Sequence, residues 1–190
     1  MKKFLIILIL IFTLQAPSLA DDIRDFQIEG MSIGDSALDF YNEVTITSSV
    51  KSTPYNDDEF YEVELFNDED TYKIIGLVFK KFDDKYIIYA IKGMNYLEFG
   101  KCEKEKKSVI KDIKTILKNV NEENYKSGFG SKYGNSYAVV TDLDVEGGTI
   151  RVWCDNFDKT HEVAKQWKDA MSIDLSTEEF LSWLNNKAYQ

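Results

Sequence analysis

Three consecutive segments in the first half of the chain combine strand-forming residues with short acidic turns, and this pattern restricts the fold more than any other feature. They are EFYEVELF (59–66), TYKIIGLVFKKF (71–82) and KYIIYAIKGM (85–94). In the first segment, apolar residues alternate with Glu62 and Glu64, as in a strand that exposes one face to water. The third segment is apolar at both alternating sets of positions, so we expect it to lie centrally in the sheet. The short connections predict an antiparallel β meander.

The second half of the chain adds a hairpin, a further strand and a long helix. Residues 137–144 and 149–157 flank a Glu-Gly-Gly turn and predict the hairpin, and residues 169–175 alternate as a strand. Residues 103–120 place an apolar stripe opposite a row of lysines that includes Lys106, which predicts an amphipathic helix with a solvated basic face. Strands in hairpins with separate helices predict an α+β fold, in which an antiparallel sheet carries amphipathic helices on one face.

Two short motifs predict helix starts. In IEGMSIGDSALDFY (28–41), Ser32 is expected to cap a helix with Asp35 reaching back to it, after a turn at the first glycine. We interpret this stretch as the place where the fold begins, because no partner residue gives its glycines phosphate chemistry. The following residues 43–50 fit either a helix or a strand. Ser176, with a glutamate three residues later, is expected to cap the last helix.

The N terminus has the composition of a secretory signal peptide. Two lysines precede an apolar run over residues 4–14, and small residues lead to Ala20. We expect cleavage after Ala20, which leaves residues 21–190 as a single α+β domain that is periplasmic or secreted. The alternative is an uncleaved anchor, but the run is shorter than the ~20 residues that span a bilayer. No later segment is apolar enough to span a membrane.

The two cysteines of the chain, Cys102 and Cys154, are expected to form one disulfide bond, because an exported protein folds in an oxidising compartment. The alternative is a thiol nucleophile. That role requires a histidine partner, and the chain contains a single histidine, His161. His161 lies in a charged stretch, where we expect a solvated side chain rather than a catalytic one.

Charge and composition exclude several functions. The net charge is −10, so nucleic acid and anionic lipid surfaces are poor partners. A lone histidine excludes a multi-histidine metal site, and no phosphate-binding or dinucleotide-binding glycine motif is present. In DLDVEGG (142–148), Asp142, Asp144 and Glu146 alternate as calcium ligands would, but Trp153 stands where the bidentate glutamate of such a loop belongs. We therefore expect no metal and no cofactor.

Residues 124–137, NYKSGFGSKYGNSY, are expected to form an irregular loop. Its aromatic residues alternate with small polar residues, which is a composition typical of binding loops. The alternative is a plain connector whose rings fold back onto the sheet. The four residues proposed to contact a ligand or partner are Tyr125, Phe129, Tyr133 and Tyr137.

The chain also resembles a group of uncharacterised small exported proteins of marine bacteria. The resemblance covers residues 22–188 and rests on DIRDFQIEGMSIGDSALDFY, DDKYIIYAIKGMNY, the lysine-rich helix after Cys102, and LSTEEFLSWL. It implies export but no activity. More weakly, EGMSIGDSALDF followed by a meander is similar to the helix–sheet unit of the β-lactamase-inhibitor and small outer-membrane lipoprotein group, and implies a binding or assembly module.

Together these observations predict a non-catalytic binding or interaction module with a protein or peptide partner in the cell envelope. The competing hypothesis is a carboxylate-dependent hydrolase. The many acidic residues allow such a site, but the sequence does not select any pair of them.

Overall fold

The computed structural model describes residues 22–66, 71–117 and 120–190. The predicted signal peptide, residues 1–20, lies outside these described residues. Within them the chain forms one seven-stranded antiparallel sheet and the helices that pack on it, so the predicted α+β class is confirmed. The strands are β1 (Phe60–Phe66), β2 (Ile74–Lys80), β3 (Ala90–Tyr96), β4 (Asn121–Gly128), β5 (Tyr137–Val145), β6 (Gly148–Asn156) and β7 (Ala170–Thr177). The helices are α1 (Glu43–Ser48), α2 (Phe99–Ile116) and α3 (Glu178–Asn186).

The last strand joins two meanders into one sheet. The strand order is β1-β2-β3-β7-β6-β5-β4, so β7 pairs with β3 on one side and with β6 on the other. Ile173 and Leu175 of β7 point to one face of the sheet, and Ser172, Asp174 and Ser176 point to the other. As predicted, β3 is a central strand, and the β5–β6 hairpin turns at Glu-Gly between Val145 and Gly148.

One face of the sheet, called here the core face, carries most of the apolar core. Its side chains include fully buried Leu77, Ile91 and Val152. Helix α2 and the segment that precedes β1 cover this face, because both present apolar residues to it. Of residues 43–50, which the sequence left open between helix and strand, Glu43–Ser48 form the short helix α1, and Val50 makes an isolated bridge with Val63. Ile46 of α1 is fully buried on the core face.

The opposite face of the sheet, called here the second face, is covered only in part. Helix α3 packs there through Phe180 and Trp183, which form a small core with Phe60, Val78 and Ala90. The helices therefore lie on both faces of the sheet, which corrects the prediction that they pack on one face. The rest of the second face is lined mainly by polar and charged side chains.

The stretch 28–41 does not begin an α-helix. The expected side-chain bond is present, since Asp35 Oδ2 accepts from the amide of Ser32 at 2.9 Å. The chain nevertheless turns at Gly30 and Gly34, which have φ angles of 79° and 92°, and forms only a 3-10 turn at Ala37–Asp39. Successive turns direct the apolar residues of this stretch into the core. Their packing there outweighs the local preference for a helix.

Lys106 corrects the prediction that all lysines of α2 face water. Its side chain is 6% exposed and lies between the helix and the core face. Its ammonium donates to the carbonyl oxygen of Val139 at 2.9 Å and to Thr141 Oγ1 at 3.1 Å. Burial lowers the pKa of Lys106, and the two acceptors on β5 compensate part of the lost hydration.

The predicted disulfide bond is confirmed. Cys102 of α2 and Cys154 of β6 are bonded, with their Cα atoms 5.8 Å apart. Both side chains are fully buried on the core face, so the bond fastens α2 to the centre of the sheet.

The cap of the last helix lies one residue later than predicted. Ser176 is the penultimate residue of β7, and its hydroxyl donates to Asp174. The N-cap is Thr177, whose Oγ1 accepts from the amide of Phe180 at 3.1 Å. The strand extends to the cap itself because Ser176 pairs with both Ala90 and Thr149.

We expect Thr177→Ala to lower the free energy of unfolding by ~1 kcal/mol, because it leaves a helix amide without its acceptor. Thr177→Ser keeps the hydroxyl and should cost less than half as much. Urea unfolding of both variants measures the difference. Equal losses would show that Thr177 acts through its methyl group and not as a cap.

Candidate functional site

The structure separates the four aromatic residues that were predicted to form one contact loop. Residues 121–128 form strand β4, so the prediction of an irregular loop from residue 124 is wrong. Pairing with the full length of β5 outweighs the low strand propensity of Asn, Ser and Gly. Tyr125 lies on the second face, where its hydroxyl is 3.3 Å from Asp142 Oδ2. Tyr137 lies on the core face against Phe99, with ring centroids 5.6 Å apart.

Phe129 and Tyr133 remain in the β4–β5 connection and meet two rings that the sequence reasoning missed. Phe129 stacks on Phe157 at 5.1 Å between centroids, and Phe157 stacks on Trp167 at 5.9 Å. Tyr133 meets the edges of Phe129 and Trp167, each at 6.3 Å. Trp167 is 53% exposed. We call these four residues the aromatic surface. Phe157 and Trp167 come from the β6–β7 connection, and no short-range pattern links them to the other two.

Asp158 holds the two connections of the aromatic surface together. Its carboxylate accepts from the side chain and amide of Thr160 and from the amide of Asn135, and these bonds lower its pKa to about 2. His161 packs against Gly134, where a Cβ atom would lie 2.9 Å from the histidine side chain. The sequence predicts a solvated side chain for His161, but in the structure its Nδ1 atom is buried. These contacts join the two connections that carry the aromatic surface.

Lysines surround the aromatic surface in this otherwise acidic protein. The ammonium of Lys132 lies 5.6 Å from the ring centre of Tyr133, and that of Lys159 lies 5.8 Å from the ring centre of Phe157. Lys168 lies 4.9 Å from the ring centre of Tyr96, at the edge of the same region. Lys159 also pairs with Asp169 at 2.8 Å. The region thus combines one exposed ring, Trp167, and three half-buried rings with nearby positive charge.

A row of charged side chains crosses the second face at a single register level. Glu64, Gly76, Lys92, Asp174, Arg151 and Asp142 are successive cross-strand partners on β1, β2, β3, β7, β6 and β5. Arg151 binds Asp142 with two parallel hydrogen bonds of 2.7 Å. Glu64 lies 2.7 Å from Lys51 and 3.7 Å from Lys92. We call this set the charged row.

Asp174 is at the centre of the charged row and at the bottom of a cleft. Two adjacent cavities meet there, and both are lined by Asp174, Glu62 and Phe180. Burial raises the pKa of Asp174 to about 6, against the opposing effects of Ser176, Lys92 and Arg151. The hydroxyl of Tyr55 donates to Glu62 at the rim.

The sequence held one signal for this cleft. Ser172, Asp174 and Ser176 alternate with apolar residues in a strand that was predicted from that alternation. In a central strand, three polar residues on one face indicate that this face lines a polar space beneath a covering element.

We expect Asp174→Asn to flatten the pH dependence of stability between pH about 4 and about 6. The folded-state pKa of Asp174 is above the unfolded value of ~3.9, so the folded protein binds the proton more tightly, and the free energy of unfolding falls as pH rises through this window. Burial also raises the pKa of Asp155, which is still present in the variant. The decrease of the free energy of unfolding with pH should therefore become smaller in Asp174→Asn without disappearing. Urea unfolding across the pH range measures it.

Asp158→Asn is the matched control, because its sign is opposite. The pKa of Asp158 is depressed, so its contribution is present above pH ~4 and is lost as pH falls toward about 2. This variant should change only the acid limb of the stability profile. An unchanged slope between pH about 4 and about 6 in Asp174→Asn would show that its carboxyl is ionised at an ordinary pKa.

Two of the three acidic residues considered for calcium, Asp142 and Asp144, have other partners. Asp142 is bound by Arg151, and Asp144 accepts from Thr149 Oγ1 at 3.0 Å and from Asn121 at 3.2 Å. In the part of the chain that the structure describes, histidine, cysteine, aspartate and glutamate residues form no group of three or more suited to a metal ion.

The helices of the described ranges include none with the length and apolarity needed to cross a membrane. Comparison of the chain with protein-family models, with curated proteins and with solved structures gave no match.

Proposed function

We propose that this protein is an exported, non-catalytic binding module, and that its aromatic surface contacts an acidic segment of a protein or peptide in the cell envelope. The observation that carries this proposal is the pair of ring stacks joining Phe129, Phe157 and Trp167. Exposed aromatic rings are enriched at the energetic centres of protein interfaces, because they bury a large area at a low cost in side-chain entropy.

The bonds that join the two connections of the aromatic surface support a binding role. Asp158, Ser136 and the packing of His161 on Gly134 hold the two connections in place before any partner arrives. A preorganised surface loses less conformational entropy on binding than a mobile loop of the same composition.

The distribution of charge supports an acidic partner. The protein carries a net charge of −10, so most of its surface repels an acidic chain. Lys132, Lys159 and Lys168 lie around the aromatic surface. The shallow pocket between Tyr96 and Trp167 is lined by three lysines and two acidic residues, Glu98 and Asp169, so its balance is positive. Attraction at this region and repulsion elsewhere would orient the partner.

The test uses residues 21–190 and a random copolymer of glutamate and tyrosine as the probe. The glutamate–tyrosine copolymer should bind to the immobilised protein. A lysine–tyrosine copolymer, which the net charge of −10 attracts to the rest of the surface, should bind without requiring Phe129 or Trp167. The double variant Phe129→Ala/Trp167→Ala should weaken binding of the glutamate copolymer about 30-fold or more, since a strong aromatic anchor is worth ~2 kcal/mol. Its melting temperature should stay nearly unchanged.

Phe82→Ala is the matched control, because Phe82 is 94% exposed in the β2–β3 connection. It should bind like the native protein. Undiminished binding of the glutamate copolymer by the double variant, or an equal loss of lysine-copolymer binding in it, would refute the proposal. Early melting of the double variant would mean that the rings belong to the core. If the double variant folds normally, an envelope protein captured by the native chain but not by the variant is the partner.

A carboxylate-dependent hydrolase is the second candidate function, and one observation favours it. Asp174 and Glu62 line the same cleft, and Asp174 has the raised pKa that a general acid needs. Assays with nitrophenyl glycosides and esters test this candidate. Turnover that disappears in Asp174→Asn would replace the binding hypothesis, and absence of turnover would leave the cleft without a catalytic role.

A further inference from the structure

The cleft around Asp174 has one apolar wall and a polar floor. The wall consists of Phe180 and Leu184 of α3 and the ring of Tyr55, which lies in the loop that precedes β1. The sheet supplies the floor, where Asp174 and Arg151 are directly paired neighbours. Ligand sites typically combine an apolar enclosure with a few converging polar groups, and this cleft has both.

Most charged groups of the floor have a partner of opposite charge. Asp142 pairs with Arg151, and Lys51 and Lys92 pair with Glu64. Among the described residues Asp174 has no ion pair of its own, but Lys92 and Arg151 flank it on the neighbouring strands. A cationic ligand at Asp174 would meet these two cations, and an anionic ligand would meet Asp174 and Glu62, so a neutral ligand suits the floor better.

The same groups keep spare hydrogen-bonding capacity. A guanidinium has five N–H donors, and Asp142 uses two of those on Arg151. Asp174 and Glu62 each receive one hydroxyl, from Ser176 and Tyr55, and a carboxylate accepts more than one such bond. Donors and acceptors therefore alternate along the floor. A hydroxyl group both donates and accepts, so a ligand that carries several hydroxyls matches this alternation.

Gly76 lines the floor of the cleft, where the side chain of Lys92 lies beside it. It occupies a regular ladder position between Glu64 and Lys92, so it forms no bulge there. A Cβ atom at this position would lie 3.2 Å from Lys92 Cε. A glycine inside a strand weakens it, and one of its uses is to let a ligand approach the backbone closely.

The space limits the ligand to a small molecule. The two cavities measure about 60 Å³ and about 130 Å³. Pockets for drug-sized ligands measure ~300–1,000 Å³, so the cleft suits a single ring or the end of a longer chain.

We infer that the cleft around Asp174 binds a neutral polyhydroxyl ring, a monosaccharide or the terminal sugar residue of a glycan. The carbon face of the ring packs on Tyr55 and α3. Its hydroxyls bind Asp174, Glu62 and Arg151. This inference does not rest on the proposed function of the aromatic surface, and it requires binding but no turnover.

The experiment records backbone amide spectra of labelled residues 21–190 during titration with neutral probes. The probes are glucose, galactose, mannose and N-acetylglucosamine, each as the free sugar and as a disaccharide. We expect at least one sugar to shift the amides of Gly76, Asp174 and Tyr55 in a saturable manner. A disaccharide that binds about tenfold more tightly than its monosaccharide would identify a glycan terminus, and equal affinities would identify the free sugar.

Two variants and two charged probes complete the test. Asp174→Asn and Gly76→Ala should each weaken sugar binding about tenfold or more, while Phe82→Ala should not. The melting temperature of each variant confirms that it folds. Glutamate and lysine as free amino acids should not shift the cleft amides. Shifts with an amino acid but not with a sugar would overturn the inference, and so would an absence of sugar shifts or equal sugar affinity in folded Asp174→Asn.

The two proposals can fail independently. Asp174→Asn should leave binding of the glutamate–tyrosine copolymer unchanged, and Trp167→Ala should leave sugar binding unchanged. Loss of both activities in either variant would contradict a separate cleft site, because it would show that the two regions act as one surface.

Discussion

Replacement of both Cys102 and Cys154 by alanine should lower the free energy of unfolding by about 4 kcal/mol. The bond spans a sequence separation of 52 residues, and a cross-link of that length removes much of the conformational entropy of the unfolded chain. It also ties the only long helix among the described residues to β6, so its loss should loosen the cover of the core face.

Urea unfolding of the native protein, with and without reductant, and of the double alanine variant measures this effect. The reductant should destabilise the native protein and leave the variant unchanged. Alkylation without reductant should modify no thiol in the native protein. Two alkylated thiols, or a loss below ~1 kcal/mol on reduction, would contradict a stabilising bond, because small losses are typical of surface substitutions.

Replacement of Trp183 by alanine should cost 3–5 kcal/mol, approximately the range for deleting a buried large aromatic side chain. Trp183 is 3% exposed and packs on Phe60 and Phe180 at centroid distances of 5.1 and 5.8 Å. Its indole N–H donates to Asp57 Oδ1 at 2.6 Å. Because Trp183 anchors α3 to the second face, the variant should also lose the wall of the Asp174 cleft and bind no sugar.

Trp183→Phe is the control for the ring contacts, since it keeps an aromatic side chain and removes the bond to Asp57. We expect a loss of ~1–2 kcal/mol, because the change removes one hydrogen bond to a carboxylate and some packing, while Asp57 Oδ1 still accepts from the amide of Glu59. Urea unfolding and the amide spectra of α3 measure both variants. If Trp183→Ala lowers the free energy of unfolding less than Trp183→Phe does, α3 is held on the sheet by other contacts.

The two candidate regions lie at opposite ends of β6 and β7. The aromatic surface follows Asn156 and precedes Ala170, whereas the cleft lies near Thr149 and Ser176. Strands β6 and β7 therefore carry both regions. A partner at the aromatic surface would leave the cleft open, so the two proposed sites can be occupied together.

The local patterns of the sequence were sufficient for the elements whose formation depends on near neighbours. Alternation identified β1 and β7, the Glu-Gly-Gly turn identified the β5–β6 hairpin, and the cysteine pair identified the cross-link of α2 to the sheet. These elements form where the sequence predicts them because period-two burial, turn geometry and disulfide chemistry are short-range or compositional properties.

Tertiary structure decided everything that depends on which segment lies opposite another. Strand β4 exists because β5 offers an unpaired edge, Lys106 is buried because Thr141 and Val139 face it, and Thr177 rather than Ser176 caps α3 because β7 pairs through Ser176. The charged row and the stack of Phe129 on Phe157 join residues far apart in the chain. Cross-strand register and desolvation by distant segments act only after folding, so no local pattern could predict these contacts.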